Sequence, residues 1–166
     1  THATIHLTGA LARRRSGARL LHVSTAEVYG PPQRLPVDEQ HPLNPTNPYA
    51  ISKAAADCYC RFLSEQGALD IVRVRPFNHS GAGQTDRFVL SSFARQVAEI
   101  QAGRAEPVLR VGNLEGGRDF SHVSDVVRAY ELLALKGRSG EVYNICSGRS
   151  RRIREVMEEL VRLTGM

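Results

Sequence analysis

Two short apolar runs, held apart by a proline-rich loop and an alanine-rich helix, constrain this chain more than any other feature. Leu20, Leu21 and Val23 end in Ser24-Thr25, as a strand buried in a parallel sheet would. Six of the eight prolines fall between Pro31 and Pro48, which marks that stretch as loop. It closes on Asn47-Pro48, an N-cap followed by proline in the first helical turn. From Tyr49 to about Gln66 the chain is rich in alanine, and Gly67 stops it. Leu69 to Val74 is β-branched and reads as a second buried strand. Strand, helix, strand in that order predicts a right-handed βαβ unit.

The rest continues the alternation. Residues 4–14 are expected to be a helix, with a turn at Ser16-Gly17. Leu90, Phe93, Val97 and Ile100 repeat at helical spacing and Gly103 stops them. Val108–Val111 is expected as a strand, Ser124–Leu135 as a helix, Val142–Cys146 as a strand and Ile153–Leu163 as an amphipathic helix. There are no repeats or low-complexity segments.

At 166 residues and 42% apolar composition the chain can bury one core. No apolar run approaches the roughly eighteen residues that span a bilayer, so no membrane role is expected. Thr1 to Ala12 lacks a basic region followed by an apolar stretch, and a cytoplasmic location is the expectation. Cys58 and Cys60 lie two apart on a helix and so on roughly opposite faces. Cys146 stands alone. No cysteine or histidine spacing fits a metal site, so none is expected, and the cysteines read as packing residues. Lys plus Arg exceeds Asp plus Glu by 22 − 17 = 5. The arginines are scattered apart from Arg13-Arg14-Arg15 and Arg151, Arg152 and Arg154, both read as solvated helix surface or helix ends. No nucleic-acid module accompanies them.

Three segments carry chemistry: S-T-A-E-V-Y-G at 24–30, Y-A-I-S-K at 49–53 and R-P-F-N-H-S-G at 75–81. Two follow strands and one opens a helix, and open α/β sheets place their ligands outside strand C-termini. Tyr49 and Lys53, four apart on a helix, share a face. A free phenol titrates near pH 10, too high for ready exchange at neutrality, and a neighbouring ammonium favours the phenolate. Such a tyrosine is a usable acid or base. Thr25 can hydrogen-bond the same substrate oxygen. Any surface helix can hold Y-x-x-x-K by chance; Thr25, Glu27 and Tyr29-Gly30 upstream make the pair specific.

S-T-A-E-V-Y-G, N-P-Y-A-I-S-K and R-P-F-N-H resemble the NAD-dependent epimerase/dehydratase family of extended short-chain dehydrogenases/reductases. Order and spacing agree, with Thr25 and Tyr49 separated by 24 positions. The resemblance implies an α/β fold: a partial Rossmann-like, doubly wound domain with a parallel sheet over 1–85. A smaller portion over 86–166, interleaved with the first, would bind the nucleotide-sugar. It implies Thr25, Tyr49 and Lys53 as the catalytic set, with Glu27 beside the reacting sugar. NAD or NADP would be held by Ser24, Tyr49, Lys53, Pro76 and Phe77. Asn78 would touch the sugar or its phosphates. V-G-N-L-E-G-G-R-D-F at 111–120 looks like the nucleotide-binding segment, with Arg118 on the diphosphate, where a guanidinium can donate two parallel bonds. Val111, Asn113 and Leu114 would line the base.

Within the family, R-P-F-N-H-S-G-A-G-Q, S-F-A-R-Q-V-A-E-I, G-N-L-E and V-V-R-A-Y most resemble the branch that reduces GDP-4-dehydro-6-deoxy-D-mannose to GDP-rhamnose. A GDP-linked nucleotide-sugar is therefore the favoured substrate. A GDP-mannose 4,6-dehydratase, a UDP-sugar 4-epimerase and a catalytically inactive, truncated nucleotide-sugar-binding or interaction module are the alternatives. No strand–glycine-rich turn–helix for the cofactor pyrophosphate is present. Gly81-Ala82-Gly83 lacks a third glycine, and Gly112 to Gly117 has the wrong spacing. The sequence thus reads as a family member lacking its first strands and its C-terminal end. Without a neighbour, the strand at 20–23 would present an open edge and favour a homodimer or another association through that edge.

Overall fold

The computed structural model describes residues 1–14 and 17–165. Arg15, and Ser16 of the expected Ser16-Gly17 turn, lie outside them. The chain divides into two compact units, one of residues 1–77 and 124–146, the other of residues 78–123 and 147–166.

The first unit holds a parallel sheet of β1 (Leu20–Val23), β2 (Ile71–Pro76) and β5 (Val142–Ile145), in the order β1-β2-β5. Leu20 pairs with Ile71 and Val23 with Val74, while Arg73 to Pro76 pair with Val142 to Ile145. Side chains alternate along the central strand, so its two faces meet different partners. On one face Ile71 packs with Cys60, Leu69, Leu11 and Leu63, residues of or beside α1 (His2–Arg13) and α2 (Pro48–Glu65). On the other, Val74 and Ile145 pack against Val126, Ala129 and Leu133 of α4 (Val123–Lys136). Helices on both faces of a parallel sheet make the doubly wound arrangement that the sequence implied.

β2 starts at Ile71, two residues later than expected, because the ladder begins where Leu20 finds its partner. Leu69 is buried just ahead of it. α2 begins at Pro48, and the Asn47 side chain accepts from the Ala50 amide at 2.8 Å, as an N-cap does.

The second unit holds β3 (Asn78–Ser80), β4 (Gly117–His122) and β6 (Ser150–Arg152), ordered β3-β4-β6, with α3 (Val89–Gln101) and α5 (Ile153–Leu163). β3 runs parallel to β4 and β6 antiparallel to it. Val108–Val111, expected as a strand, is irregular. The Gln96 amide takes the backbone of Arg110 at both ends, receiving its N–H at 2.7 Å and donating to its carbonyl at 3.1 Å. One side chain thus satisfies groups that a neighbouring strand would otherwise pair. The strand of this region is β4, whose polar sequence hides it.

Of the cysteines only Cys60 is buried; Cys58 and Cys146 are exposed, which corrects the expectation that all three pack. Cys146 lies one residue beyond β5.

Candidate active site

Val23, the last residue of β1, anchors one of the residues that the sequence singles out. Its carbonyl accepts from Lys53 Nζ at 2.9 Å, which holds the ammonium at the carboxyl end of the sheet. One helical turn earlier, the Tyr49 ring lies with its centroid 5.9 Å from that ammonium, within cation–π range. Tyr49 is 51% exposed, so its side chain is not packed into the core.

Past Val23 the backbone is still extended at Thr25, and the chain turns only after it. The Ser24 amide donates to the Val74 carbonyl at 2.8 Å, and Ser24 and Thr25 are buried. Thr25 caps a single 3₁₀ turn, Ala26–Tyr29, its Oγ1 accepting from the Glu27 amide at 3.3 Å. Its hydroxyl proton remains for another acceptor. Glu27 is exposed, and one carboxylate oxygen accepts from Asn47 Nδ2 at 2.9 Å. Asn47 therefore joins Glu27 to the start of the helix that carries Tyr49. Gly30 has φ +63°, and a Cβ there would fall 1.9 Å from the Asn44 carbonyl oxygen. Only glycine meets both demands.

Beneath these segments lies a buried ionic network that sequence reasoning missed. Asp57 of α2 is fully buried, and Arg73 and Arg75 of β2 are 5% and 4% exposed. Arg73 Nη1 donates to Asp57 at 2.8 Å and Arg75 Nε at 2.9 Å. Burial pushes the Asp57 carboxyl up, but the two guanidiniums outweigh it and hold it below the ordinary carboxylate value. Arg75 Nη1 also donates to the Tyr29 hydroxyl at 2.9 Å, which donates to Asn144 Oδ1 at 2.7 Å. The Tyr29 phenol is pushed up by burial, against its bonds to Arg75 and Asn144. Tyr29 is thus a buttress, tying the turn with Thr25 and Glu27 to the central strand. A signal was present: arginines at alternate positions of a buried strand need a counter-charge, and Asp57 is the carboxylate one turn beyond Lys53.

Pro76 is buried at the end of β2 and Phe77 half-buried after it, its amide donating to the Ile145 carbonyl at 2.9 Å. The structure brings Ser24, Thr25, Glu27, Tyr49, Lys53, Pro76 and Phe77 into the first unit.

The remaining expected residues lie in the second. Asn78 is exposed and pairs with Phe120 in the β3–β4 ladder. Val111 is exposed. Asn113 Oδ1 accepts from the Glu115 amide at 2.9 Å, and the Leu114 carbonyl accepts from the Arg154 amide at 3.1 Å. Arg118 is exposed in β4, with Nη1 donating to the Gly117 carbonyl at 2.7 Å. Asp119 accepts from the amides of Ser147 and Arg149 at 2.8 and 3.1 Å, which fixes the turn into β6. Among the described residues no group of three or more His, Cys, Asp and Glu could hold a metal ion, and no helix is long and apolar enough to cross a membrane.

The family model described as GDP-mannose 4,6 dehydratase matches residues 1–166. The GDP-6-deoxy-D-mannose reductase of Pseudomonas aeruginosa is 41% identical over 159 residues, which cover 95% of this chain and 52% of that protein. A solved structure of RMD from Pseudomonas aeruginosa, complexed with NADPH, superposes with a TM-score of 0.93 at 39% identity, covering 98% of this chain and 56% of that one. The dTDP-glucose 4,6-dehydratase of Bacillus anthracis, in complex with NAD, gives 0.86 at 30% identity, covering 98% and 50%. The chain spans about half the length of the relatives it matches. With the parallel sheet, the Tyr49–Lys53 pair at its carboxyl end and a match along the whole sequence, the chain belongs to the GDP-mannose 4,6 dehydratase family, among the extended short-chain dehydrogenases/reductases.

Proposed function

We propose that this protein is an NAD(P)-dependent oxidoreductase of nucleotide sugars that reduces the 4-keto group of GDP-4-dehydro-6-deoxy-D-mannose to give GDP-D-rhamnose. The observation that carries the reading is the Tyr49–Lys53 pair: an exposed phenol beside an ammonium that is itself anchored on the Val23 carbonyl. The 41% identity to the Pseudomonas aeruginosa reductase supports the choice of substrate.

The donor set suits a nicotinamide nucleotide. Lys53 has ammonium protons beyond the one given to Val23 and can donate to ribose hydroxyls, with Ser24, Tyr49, Pro76 and Phe77 around them. The described residues include no glycine-rich turn for the pyrophosphate, so they fit one end of the cofactor only. When bound, the nicotinamide supplies the hydride. Tyr49 gives its proton to the C4 oxygen as that oxygen gains charge. The Lys53 ammonium stabilises the negative charge left on the phenol, and the Thr25 hydroxyl holds the same oxygen in line. Arg118 takes the diphosphate, Asn78 the sugar or its phosphates, and Val111, Asn113 and Leu114 the base.

One observation favours a second reading. Glu27 is exposed and oriented by Asn47, as a proton-carrying carboxylate would be in a 4,6-dehydratase. Product analysis with the intact protein separates the two. The reductase oxidises one NADPH or NADH per sugar reduced; a dehydratase or an epimerase leaves the cofactor unchanged at the end. Turnover of GDP-mannose without net cofactor oxidation would replace the first reading by the second.

A further inference from the structure

Across the β4–β6 ladder Arg118 stands directly opposite Arg151, with Gly117 opposite Arg152 and Asp119 opposite Ser150. Opposed residues of an antiparallel pair project to the same side, with Cβ atoms about 4.5–5.5 Å apart, and like charges placed so repel. Both arginines are exposed, and neither forms an ion pair among the described residues. Other arginines of the same unit are paired: Arg95 with Asp86, Arg104 with Glu99, Arg154 with Glu115 and Arg162 with Glu159.

The nearby carboxylates are committed elsewhere. Asp119 follows Arg118, so it projects to the other side of the strand, where the Ser147 and Arg149 amides take it. Glu159 is held by Arg162 with two hydrogen bonds at 2.8 and 2.6 Å, and Arg151 comes last among the influences that lower its carboxyl. The residue two before Arg118, on the same side, is Gly116, which has no side chain to cover the guanidinium; a Cβ there would come within 3.7 Å of Arg118 Nη1. Arg151, Arg152 and Arg154 therefore differ, although together they read as solvated surface. Arg154 is paired with Glu115, Arg152 lies on the other side of the ladder, and Arg151 faces Arg118.

We infer that Arg118 and Arg151 form one two-pronged anion site, and that Arg151 is a second contact to the diphosphate of the nucleotide-sugar. The assignment rests on the nucleotide-sugar reading above. A guanidinium presents paired donors that match phosphate oxygens, and two adjacent phosphoryl groups supply one anionic centre for each arginine. Binding removes the repulsion between the two side chains, so each depends on the other.

Calorimetric titration of the intact protein with GDP, and separately with guanosine, tests this. Arg151→Ala is expected to weaken GDP about tenfold or more, as Arg118→Ala does, since hydrogen bonds to charged groups are of that strength. Guanosine affinity should be unchanged. Arg151→Lys keeps the charge without the paired donors and should fall between. Arg87→Ala, which removes an exposed arginine elsewhere in the unit, should change GDP affinity less than about twofold, the salt-screened effect of one distant charge. Thermal unfolding should find Arg151→Ala at least as stable as the parent, because a like-charge pair is gone. If Arg118→Ala weakens GDP and neither Arg151 variant does, Arg151 is outside the site and the inference fails while the proposed function stands. If the parent protein binds neither GDP nor GDP-mannose, the nucleotide-sugar reading fails and takes the inference with it.

Discussion

Asp57 sits fully buried between two guanidiniums, so its removal leaves two cations without a counter-charge. Asp57→Ala is expected to cost about 3–5 kcal/mol, the usual effect of breaking a buried pair from one side. The folded-state pKa of Asp57 is depressed. Its contribution is therefore complete above the unfolded value of about 3.9 and is lost as pH falls through the lower folded value. Denaturant titrations from neutrality down to about pH 2 should show that loss, and a stability flat across the range would contradict it. His22 titrates in a different window. It is buried on β1, its Nε2 has no hydrogen-bond partner among the described residues, and burial above all lowers its pKa. The unfolded chain then binds the extra proton, so stability should decline as pH drops below about 6.5. His22→Leu should remove that slope. Cys60 behaves as a core residue: burial, then the charge of Asp57, pushes its thiol up to about 11. Thiol reagents at neutral pH should label Cys58 and leave Cys60 until the protein unfolds; rapid modification of Cys60 would mean that this core opens.

Helix α2 shows how much of the site a local sequence can announce. Asn47-Pro48 marks its start, and the Tyr49–Lys53 spacing gives the shared face that the structure displays. The second duty of Asn47, its bond to Glu27, links positions twenty residues apart and leaves no periodic trace. Asn47→Ser should keep the cap and most of the stability, whereas Asn47→Ala should cost about 0.5–2 kcal/mol. Both lose the amide that orients Glu27. Equal melting temperatures for the two variants would show that the cap contributes nothing. Gly30→Ala should destabilise far more than an ordinary glycine replacement, since its Cβ would meet backbone, and thermal unfolding reads this directly. The strands of the first sheet were legible because they carry apolar, largely β-branched residues and are flanked by turn residues. β3, β4 and β6 were not, because they are short or polar and their identity lies in the pairing. Val108–Val111 misled for the opposite reason: its composition suits a strand, but Gln96 occupies its backbone. Arg73 and Arg75 make the central strand look amphipathic when both of its faces are buried, and only the carboxylate on α2 resolves this.

At the scale of the whole molecule, the motifs predicted a doubly wound sheet and the first unit has one, with β1 at an edge and β2 its only neighbour among the described residues. An unpaired strand offers its backbone groups to another chain. The 166-residue chain expressed alone is therefore expected to self-associate, and a monodisperse monomer in size-exclusion chromatography at high concentration would count against an available edge. The Tyr49–Lys53 pair lies at the carboxyl end of this sheet, where the proposed reaction takes place. Its most direct measurement is the rate of NADPH oxidation by the intact protein with GDP-4-dehydro-6-deoxy-D-mannose, compared between the parent and Tyr49→Phe. The expected result is steady oxidation by the parent and a fall in kcat of about 10²–10⁴-fold in the variant, the range that general acid catalysis supplies, with KM little changed. Equal rates from the two proteins would contradict the role given to Tyr49 and the mechanism built on it.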